Sequence, residues 1–391
     1  MEYRQSSLES MVNAAAFRGV YKDKIVFLTG HSGFKGSWLS EWLLVLGAKV
    51  IGCSLAPITK PSLFEQLELA SRLQHIELDI RDSAKLAQVV SRYEPDFIFH
   101  LAAQAIVRES YSAPVDTYTT NVIGTINVLE AARKLTKPCI VICVTTDKCY
   151  ENHERNYGYR EEDNLGGYDP YSSSKAAAEI AIASWRRSFF KGHDVKIASV
   201  RAGNVIGGGD WAADRIMPDS IRCLSKRETI LVRNPKAVRP WQHVLEPLGG
   251  YLALAEAIEN ATRQQDHTRL EFLCSAFNFG PSMGGNRTVS DLVDEVLKNW
   301  PGKWVDGSRI GGAHEAFLLR LNTNKARRLL SWKSVWGFKE TVARTVDWYK
   351  RFPGLHESNP QEVINFTRAQ LAAYVESALD AELPWTLKDP K

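Results

Sequence analysis

Two short segments of the sequence place polar side chains where they could do chemistry. The first segment is 144-VTTDKCYEN-152. It follows an apolar run, 139-CIVICV-144, and places Asp147 and Lys148 directly after two threonines. A carboxyl group and an amine beyond a buried strand could act as acid and base in proton transfer. They could equally belong to a solvated loop, because loops are mostly polar surface.

The second segment is 169-DPYSSSKAAAE-179, in which Tyr171 and Lys175 lie four residues apart. On a helix this spacing puts both side chains on one face. A lysine ammonium beside a tyrosine favours the phenolate and lowers the tyrosine pKa from about 10, which yields a general base. The spacing alone is common by chance among 13 tyrosines. What supports a catalytic pair is the position of these two residues, at the start of the helix that follows the strand ending in Thr146.

The elements that carry these segments alternate along the chain. Short aliphatic runs that are apolar throughout alternate with helical patterns, which is typical of a parallel sheet covered on both faces. We predict strands at 24–29, 49–53, 73–78, 96–103, 139–146 and 195–203, and helices at 37–48, 82–93, 114–135 and 170–190. The sequence therefore predicts an α/β fold with a doubly wound parallel sheet of Rossmann type.

The alternation ends after about residue 204, where glycine, proline and tryptophan interrupt the pattern. We expect a smaller α/β substrate-binding lobe there, packed at the carboxyl ends of the strands, where such sheets bind ligands. The predicted division is a Rossmann domain at 20–204, to which 243–275 returns, a lobe made of 205–242 and 276–350, and a C-terminal helical tail at 351–391.

The composition of the 391 residues excludes several classes of protein. The net charge is +4 without a polybasic tract, so neither nucleic acid nor a membrane surface is an expected partner. The six cysteines lack the paired spacing of a zinc site, and no metal is expected. No long apolar span or N-terminal apolar h-region is visible, which favours a cytoplasmic protein.

A glycine-rich turn, 29-TGHSGFKG-36, lies between the first predicted strand and its helix. Gly30 would allow the tight turn, Gly33 would let the backbone approach a pyrophosphate, and Gly36 would let the helix press on the sheet. This context favours a dinucleotide site over a purely structural turn. The second strand ends in 54-SL-55 rather than in an acidic ribose ligand, so the sequence does not separate NAD from NADP.

These motifs together resemble the extended short-chain dehydrogenase/reductases. The likeness is carried by the glycine turn, by 100-HLAAQ-104, by Thr146 and by the Tyr171 and Lys175 pair. More narrowly, GHSGFKGSWL, TTDKCYEN, DPYSSSK, SVRAGNVIGGGDW and NPKAVRPWQHVLEP resemble the CDP-glucose 4,6-dehydratases, over roughly residues 20–350. The resemblance implies NAD as cofactor, CDP-glucose as substrate, and a role in the biosynthesis of 6-deoxysugars such as those of O-antigens.

The resemblance also implies distinct catalytic roles. Thr146 would hydrogen-bond the C4 oxygen of glucose, and Tyr171 would take the proton of the C4 hydroxyl. Lys175 would hold the cofactor ribose and favour the Tyr171 phenolate. Asp147, kept protonated by partial burial, would be the acid for the departing C6 hydroxyl. Lys148 would be the base at C5 if neutral, or would stabilise the C4 enolate if charged.

The expected binding residues form two sets. The cofactor set is Gly30, Ser32, Gly33, Phe34, Lys35, Gly36, Asp79, Ile80, Leu101, Ala102 and Ala103, with Tyr171 and Lys175. The substrate set is Gln104, Arg108, Asn204, Arg239 and His243. Within it, Asn204 and Arg239 resemble the groups that hold the diphosphate. Arg108 could face the sugar or a phosphate, and His243 could be a ligand or a packed histidine of the lobe.

Three residues near the cofactor set have open roles. Asp79 could accept from the adenine amino group or could cap the following helix. His31 and Lys35 depart from the small or apolar residues common in such turns. We expect them to crowd the cofactor and weaken its binding.

The resemblance further implies a homodimer or homotetramer built on the helices at 114–135 and 170–190. The run 176–178 of three alanines, with Ile180 and Ile182, fits close helix packing or an ordinary core-facing helix.

Three rival functions stay open, the first being a 4,6-dehydratase that acts on another nucleotide sugar. A nucleotide-sugar epimerase would share Thr146, Tyr171 and Lys175 but would need no acid at C6, which Asp147 supplies. A non-catalytic dinucleotide-binding regulator would need none of this set.

Overall fold

The computed structural model describes residues 16–308, 318–353 and 359–386. Its centre is a sheet of seven strands in which every neighbouring pair is parallel. The strands are β1 (Ile25–Thr29), β2 (Lys49–Ser54), β3 (Gln74–Glu77), β4 (Phe97–His100), β5 (Cys139–Val144), β6 (Val195–Ala202) and β7 (Ala276–Phe279). Their order across the sheet is β7-β6-β5-β4-β1-β2-β3. The predicted α/β class with a parallel Rossmann-type sheet is confirmed.

Fifteen α-helices occur in the described residues. They are α1 (Phe34–Val45), α2 (Leu63–Gln66), α3 (Leu69–Arg72), α4 (Ser83–Tyr93), α5 (Val107–Ser112), α6 (Pro114–Tyr118), α7 (Gly124–Arg133), α8 (Pro170–Ser188), α9 (Ile216–Ser225), α10 (Leu245–Arg263), α11 (His267–Leu273), α12 (Val289–Asn299), α13 (Asn324–Leu330), α14 (Phe338–Arg351) and α15 (Pro360–Asp380). Short strands of the smaller lobe lie at Val205–Ile206, Ile230–Val232, Val238–Pro240, Gln242–His243, Asn286–Thr288 and Trp304–Asp306. The segment predicted as one helix at 114–135 is interrupted, because a π-helical turn, Thr119–Ile123, joins α6 to α7.

The strands are apolar throughout because helices cover both faces of the sheet. In β1, Val26 and Leu28 face a large core shared with α1, α10 and α15, whereas Phe27 faces a second core shared with α4, α7 and α8. Because successive side chains point to opposite faces of the sheet, each strand contributes to both hydrophobic cores. This arrangement fixes the carboxyl ends of β1, β4 and β5 side by side.

The segment 276–279, expected in the smaller lobe, is instead the edge strand β7, which pairs with β6 in parallel. The helix α11 takes the first half of the apolar run 271–280, and only its second half is strand. Phe277 and Phe279 are fully buried in the main core. The sheet therefore has a seventh strand in addition to the six that the sequence pattern predicted.

The C-terminal helix α15 is part of the core and not a polar tail. Leu371 and Tyr374 are fully buried, and the Tyr374 ring lies 5.7 Å from that of Trp42 on α1. The Arg368 guanidinium donates to the buried Glu41 carboxylate over 2.7 Å. The helix thus covers the outer face of α1.

Within the ranges that the structure describes, none of the helices has both the length and the apolarity needed to cross a membrane. The same residues contain no group of three or more His, Cys, Asp and Glu side chains placed to hold a metal ion.

The packing of α15 gives a stability prediction. Leu371→Ala is expected to lower the free energy of unfolding by about 2–5 kcal/mol, because it opens a cavity in a closed core. Leu379 lies on the same helix but is 38% exposed, so Leu379→Ala is the matched control and is expected to cost less than about 1 kcal/mol. Chemical denaturation measures both, and equal losses would contradict the docking of α15.

Candidate active site

The first chemical segment forms the carboxyl end of β5. The strand ends at Val144, and a single 3₁₀ turn, Asp147–Cys149, follows two threonines. Thr146 caps this turn, because its hydroxyl accepts from the Lys148 amide at 3.3 Å. The cap turns Asp147 inward, where it is fully buried, and leaves the Lys148 side chain partly exposed. The solvated-loop alternative is therefore wrong for Asp147.

The two oxygens of the Asp147 carboxyl group have different surroundings. Oδ1 accepts a hydrogen bond from the Thr146 hydroxyl at 3.1 Å and lies 3.8 Å from the Lys148 amine. Oδ2 is buried and has no hydrogen-bond partner among the residues that the structure describes. A methyl group at Gly203 would come within 2.9 Å of Oδ2. A buried oxygen without a protein partner is costly, and at the edge of a candidate site a bound ligand can satisfy it.

The second chemical segment opens α8. The Asp169 carboxylate accepts from the Ser172 amide at 2.9 Å and from the Ser172 hydroxyl at 2.6 Å, which caps the helix. This cap fixes the first two turns, so Tyr171 and Lys175 face the end of β5 together. The Lys175 amine donates to the Val144 carbonyl at 3.3 Å.

The electrostatics of this pair differ from the sequence expectation. Burial raises the pKa of Tyr171 to about 12, while a hydrogen bond from Thr146 acts to lower it and the Asp147 charge acts to raise it. Burial lowers the pKa of Lys175 to about 8, against the opposing effect of Glu179. In the protein alone, the expected lowering of the Tyr171 pKa is therefore not found. A further positive charge is needed to favour its phenolate.

A buried network that the sequence analysis missed lies under these residues. The Glu179 carboxylate pairs with the Arg201 guanidinium at 2.8 Å, and it accepts from the Thr145 hydroxyl at 2.5 Å and the Ser199 hydroxyl at 2.8 Å. Glu179 is four residues beyond Lys175, so a carboxylate on the same helix face was its only signal. The network ties α8 to β5 and β6.

The glycine turn has the geometry expected of a phosphate cradle. Gly30 has φ +75°, and a methyl group there would lie 2.6 Å from the Ala102 amide. At Gly36 a methyl group would lie 2.1 Å from the Gly30 carbonyl. The helix α1 begins after Gly33, which supplies no side-chain cap, so its first amides remain for a ligand. These features fit a dinucleotide.

The polar edge of this cradle carries hydroxyl groups instead of a carboxylate. Ser54, at the end of β2, donates to Ser32 at 2.8 Å, and Ser32 donates to the Leu55 carbonyl at 2.9 Å. Phe34 opens α1 and, like Leu101, packs at the edge of the main core. Ala103 follows β4 close by and is partly exposed.

The third-strand residues are placed differently from the expectation. The Asp79 carboxylate accepts from the Arg81 amide at 2.8 Å and from its guanidinium at 2.7 Å, which lowers the pKa of Asp79. The cap of α4 is Asp82, not Asp79. The Ile80 side chain is buried against Gly124 of α7 and not toward the glycine turn.

His31 and Lys35 both point into the protein. His31 is fully buried, its Nε2 lies 2.8 Å from Nδ1 of His75, and burial lowers the pKa of His31 to about 4. Burial, with the charge of Arg215, lowers the pKa of Lys35 to about 8, and the Lys35 amine lies 5.9 Å from the Tyr251 ring centre. Their expected weakening of cofactor binding stays a prediction.

Two of the expected substrate residues flank the site. Asn204 follows Gly203, where a methyl group would meet Asp147 Oδ2, and the buried Oδ1 of Asn204 has no hydrogen-bond partner in the described part of the chain. Arg239 is buried in the short strand Val238–Pro240, and a methyl group at Gly203 would meet the Pro240 ring at 2.5 Å. Asn204 and Pro240, the residue after Arg239, are thus neighbours of the segment that borders the Asp147 carboxyl group.

The other three expected substrate residues have partners within the protein or are fully buried. Gln104 is engaged within the protein, since its amide donates to the Ile106 carbonyl and the Thr117 hydroxyl, both at 3.0 Å. Arg108 is exposed and pairs with Asp214 at 3.0 Å.

His243 is fully buried, with its ring 5.9 Å from that of Trp38 and 4.9 Å from that of Trp336. Burial lowers the pKa of His243 to about 3. The structure leaves it no face for a substrate, which corrects its assignment to the substrate set.

Arg215 is a charged residue of the site that the sequence analysis missed. It pairs with Asp210 at 2.9 Å, and its positive charge acts to lower the pKa of both Tyr171 and Lys35. The only signal was its position five residues after the aspartate of the GGGDW motif. A guanidinium there suits an anionic ligand.

Comparison with known proteins shows the family to which the chain belongs. Residues 27–345 match the family model described as GDP-mannose 4,6 dehydratase. The CDP-glucose 4,6-dehydratase of Salmonella typhimurium is 44% identical over 341 residues, which cover 85% of this chain and 92% of that protein.

Solved structures show the same fold at lower identity. The dTDP-glucose 4,6-dehydratase DesIV of Streptomyces venezuelae, with NAD and TYD bound, has a TM-score of 0.70 at 23% identity and covers 84% of this chain and 98% of its own. An epimerase of Methanothermobacter thermautotrophicus has a TM-score of 0.71 at 21% identity, covering 87% and 96%. Both likenesses concern the fold alone.

The helix cap that positions Tyr171 gives a second prediction. Asp169→Ala is expected to lower the free energy of unfolding by about 1 kcal/mol and also to lower turnover, because the first turn of α8 loses its anchor. Asp266 caps α11 away from the site, accepting from the Arg269 amide at 2.9 Å. Asp266→Ala is therefore expected to cost similar stability with turnover unchanged. Equal effects on turnover would contradict the positioning role.

Proposed function

The chain belongs to the GDP-mannose 4,6-dehydratase family, and on that premise we propose that it is an NAD-dependent CDP-glucose 4,6-dehydratase. It converts CDP-glucose to CDP-4-dehydro-6-deoxyglucose and water, a step of 6-deoxysugar biosynthesis. The observation that carries the proposal is the buried Asp147 carboxyl group, which lies beside Thr146 and within electrostatic reach of Tyr171. An epimerase needs no acid at that place.

The residues of the glycine turn and its neighbours hold the cofactor. With the cofactor bound, the amides at the start of α1 would bind the pyrophosphate, Ser32 and Ser54 would offer hydroxyl groups to the ribose near the adenine, and Lys175 would hold the nicotinamide ribose. NAD supplies hydride chemistry, accepting hydrogen from C4 of the sugar and returning it to C6. The neutral serine pair favours NAD over a cofactor with an added phosphate.

The first half of the reaction makes C4 a ketone. Tyr171, as phenolate, takes the proton of the C4 hydroxyl at its Oη atom, while Thr146 orients the C4 oxygen. The ammonium of Lys175 stabilises the phenolate, and the guanidinium of Arg215 acts in the same sense. The C5 hydrogen becomes acidic only after this step, because it then lies next to a carbonyl group.

The second half removes water across C5 and C6. Asp147, as carboxylic acid, gives a proton from its otherwise unpartnered oxygen to the departing C6 hydroxyl. Lys148, as neutral amine, takes the C5 proton and later returns it. Once protonated, Lys148 also stabilises the enolate that develops at C4.

The nucleotide part of the substrate lies under the smaller lobe in this proposal. Asn204 and Arg239, next in sequence to Gly203 and Pro240, hold the diphosphate, for which the forked donors of arginine are suited. Arg108, Gln104 and His243 are not part of this set.

An isotope experiment tests the proposed function. CDP-glucose carrying deuterium at C4 is incubated with the protein and NAD, and the product is examined by proton and deuterium NMR. The deuterium is expected in the new methyl group at C6, because the hydrogen removed from C4 returns there within one active site.

The outcomes separate the candidate functions. A product without a methyl signal, in which only the configuration at C4 has changed, would establish an epimerase instead. Absence of any conversion, with NAD bound, would favour a non-catalytic dinucleotide-binding protein.

We also propose that the protein assembles as a homodimer through α6, α8 and the turn between α6 and α7. A groove of about 390 Å³ on this surface is lined by Pro114, Val115, Tyr118, Thr119, Val122 and Ile123. Val115 on α6 is 77% exposed, and Ile180 on the adjoining helix α8 is 57% exposed. Exposed apolar side chains on neighbouring helices suit a second copy of the same surface. Ala176, Ala178 and Ile182 are buried within the subunit and do not belong to this face.

Charge placed on this surface should separate the subunits. Ile180→Glu is expected to yield a monomer in sedimentation or light scattering, because the interface would bury an unpaired carboxylate. Leu231 in the smaller lobe has nearly the same exposure, 56%, so Leu231→Glu is the matched control and should leave the assembly unchanged. A dimer that survives Ile180→Glu would place the interface elsewhere.

A reducing compartment such as the cytoplasm is part of the same proposal. All six cysteines are free thiols, and four of them are fully buried. Buried thiols of this kind act as small hydrophobic groups and need no oxidising environment.

A further inference from the structure

The catalytic turn, residues 146–149, which carries the proposed acid and base, is bound at both ends by one buried ion pair. Before the turn, the Thr145 hydroxyl donates to Glu179 Oε1 at 2.5 Å. After the turn, the Arg201 guanidinium donates to the Tyr150 hydroxyl at 2.8 Å. Glu179 and Arg201 pair with each other at 2.8 Å, and each side chain is only 3% exposed. These contacts form a closed ring of side chains around the turn.

The two arms of this ring are anchored in different parts of the fold. Glu179 lies on α8, the helix that carries Tyr171. The contact to Thr145 therefore fixes the start of the catalytic turn relative to that helix. In the other arm, the Tyr150 hydroxyl also donates to Asn278 Oδ1 of β7 at 2.8 Å. The end of the turn is thus joined to the edge strand of the sheet.

Stability alone is a weak explanation for a charged pair at this depth. Burial acts to raise the pKa of Glu179, but the charge and hydrogen bond of Arg201, with the hydroxyls of Thr145 and Ser199, lower it below its ordinary value. The carboxylate is therefore ionised. A buried ion pair is often no more stable than apolar residues of the same volume. What apolar residues could not supply is the pair of directed contacts to Thr145 and Tyr150.

Resting on the proposed function, we propose that this ion pair positions the groups for the two halves of the reaction separately. The Glu179 contact holds Thr145 and thereby the next residue, Thr146, which orients the C4 oxygen during the oxidation. Because Glu179 and Tyr171 lie on the same helix, the contact fixes Thr146 and the Tyr171 base relative to one another. The first arm thus serves the oxidation at C4.

The second arm serves the elimination across C5 and C6. Arg201 holds Tyr150, which lies two residues after Lys148, the base that takes the C5 proton. The Lys148 side chain is 30% exposed, and its amine lies 3.8 Å from Asp147 Oδ1, which is beyond hydrogen-bond distance. The direction of the Lys148 side chain therefore depends on the backbone that Tyr150 anchors.

The competing account is that backbone hydrogen bonds alone hold the turn. The Thr145 amide donates to the Val200 carbonyl at 2.8 Å, and the Cys149 carbonyl accepts from the Gly166 amide at 2.9 Å. If these bonds suffice, the ion pair only stabilises the fold, and the loss of either arm affects both halves of the reaction alike. If the arms position the turn, the loss of each arm slows a different half.

The test removes the hydroxyl at the end of each arm, since the loss of Glu179 or Arg201 would leave a buried charge unpaired and destabilise the fold. Thr145→Val removes the first contact and keeps the shape of the side chain. Tyr150→Phe removes the second contact and keeps the ring. Each variant is expected to lower kcat by about 10-fold, since a misplacement of about 1 Å can cost about 10²-fold.

The reduced cofactor shows which half of the reaction has slowed. With saturating CDP-glucose and NAD, the absorbance of the dihydronicotinamide measures the fraction of sites that hold NADH during turnover. Tyr150→Phe is expected to raise this fraction several-fold above wild type, because the oxidation then outpaces the elimination. Thr145→Val is expected to leave it at or below the wild-type value, because the oxidation is then the slow step.

The matched control for the first arm is Ser199→Ala. The Ser199 hydroxyl donates to the same Glu179 carboxylate at 2.8 Å, but from within β6 and not from the catalytic turn. This variant is expected to keep the kcat and the NADH fraction of wild type. Thr145→Ser keeps the hydroxyl group and is expected to restore both values.

The matched control for the second arm is Tyr159→Phe. The Tyr159 ring stacks on that of Tyr150 with the ring centres 5.2 Å apart, and both side chains are fully buried. The Tyr159 hydroxyl accepts from the His153 amide at 2.7 Å and lies outside the ring of contacts around the turn. Its loss is therefore expected to leave kcat and the NADH fraction unchanged.

The outcomes separate the two accounts. A raised NADH fraction in Tyr150→Phe but not in Thr145→Val, with both controls unchanged, would support the two arms. Equal NADH fractions in the two variants, or an unchanged kcat in either, would overturn the proposal. Failure of the proposed function would appear differently, as the absence of keto sugar with the wild-type enzyme.

Hydrogen exchange tests the two arms without turnover. In the full-length protein, the amides of residues 146–149 are expected to exchange about 5-fold faster in Thr145→Val and Tyr150→Phe than in wild type, because each variant loses one buried hydrogen bond that opposes local opening. Ser199→Ala and Tyr159→Phe should match wild type there. Equal exchange in the variants and their controls would show that the backbone alone holds the turn, and the proposal would be overturned.

Discussion

The burial of one carboxyl group at the end of β5 is the constraint on which the rest of the site depends. Asp147 lies in a place where a charge is costly, and its only direct hydrogen bond comes from the neighbouring Thr146. The surrounding residues keep that place fixed. The pair of Glu179 and Arg201 binds the strands on either side to α8, and the close approach of Gly203 shapes the free side of the carboxyl group.

Much of the architecture could be predicted from the sequence, because it is set by patterns that act locally. Apolar runs gave the six predicted strands of the sheet, and the spacing of Tyr171 and Lys175 placed them on one helix face. The glycine turn was recognisable because Gly30 must adopt a positive φ next to another strand. Such features depend on backbone sterics and on the period of each element, which neighbouring residues already contain.

Other features depend on contacts between distant segments and were missed or misassigned. Arg215 reaches the site only because the loop after β6 folds back over it, and His243 is removed from it by two tryptophans from distant parts of the chain. The edge strand β7 was assigned to the smaller lobe instead of the central sheet, because a four-residue strand is too short to show a periodic pattern. Motif resemblance located the segments but not the direction of each side chain.

The docking of the last helix on α1 bears on how the protein matures in the cell. The helix α1 carries the glycine turn at its start, and α15 covers it through Tyr374 and Arg368. Chains are made from the N-terminus at about 5–20 residues per second, and domains fold as units during synthesis. Here the side of α1 that Tyr374 and Arg368 cover stays exposed until α15 has been synthesised. A chain that stops before α15 therefore leaves Trp42 of α1 without the cover of Tyr374, and exposed apolar surface of this kind is what makes incomplete chains prone to aggregation.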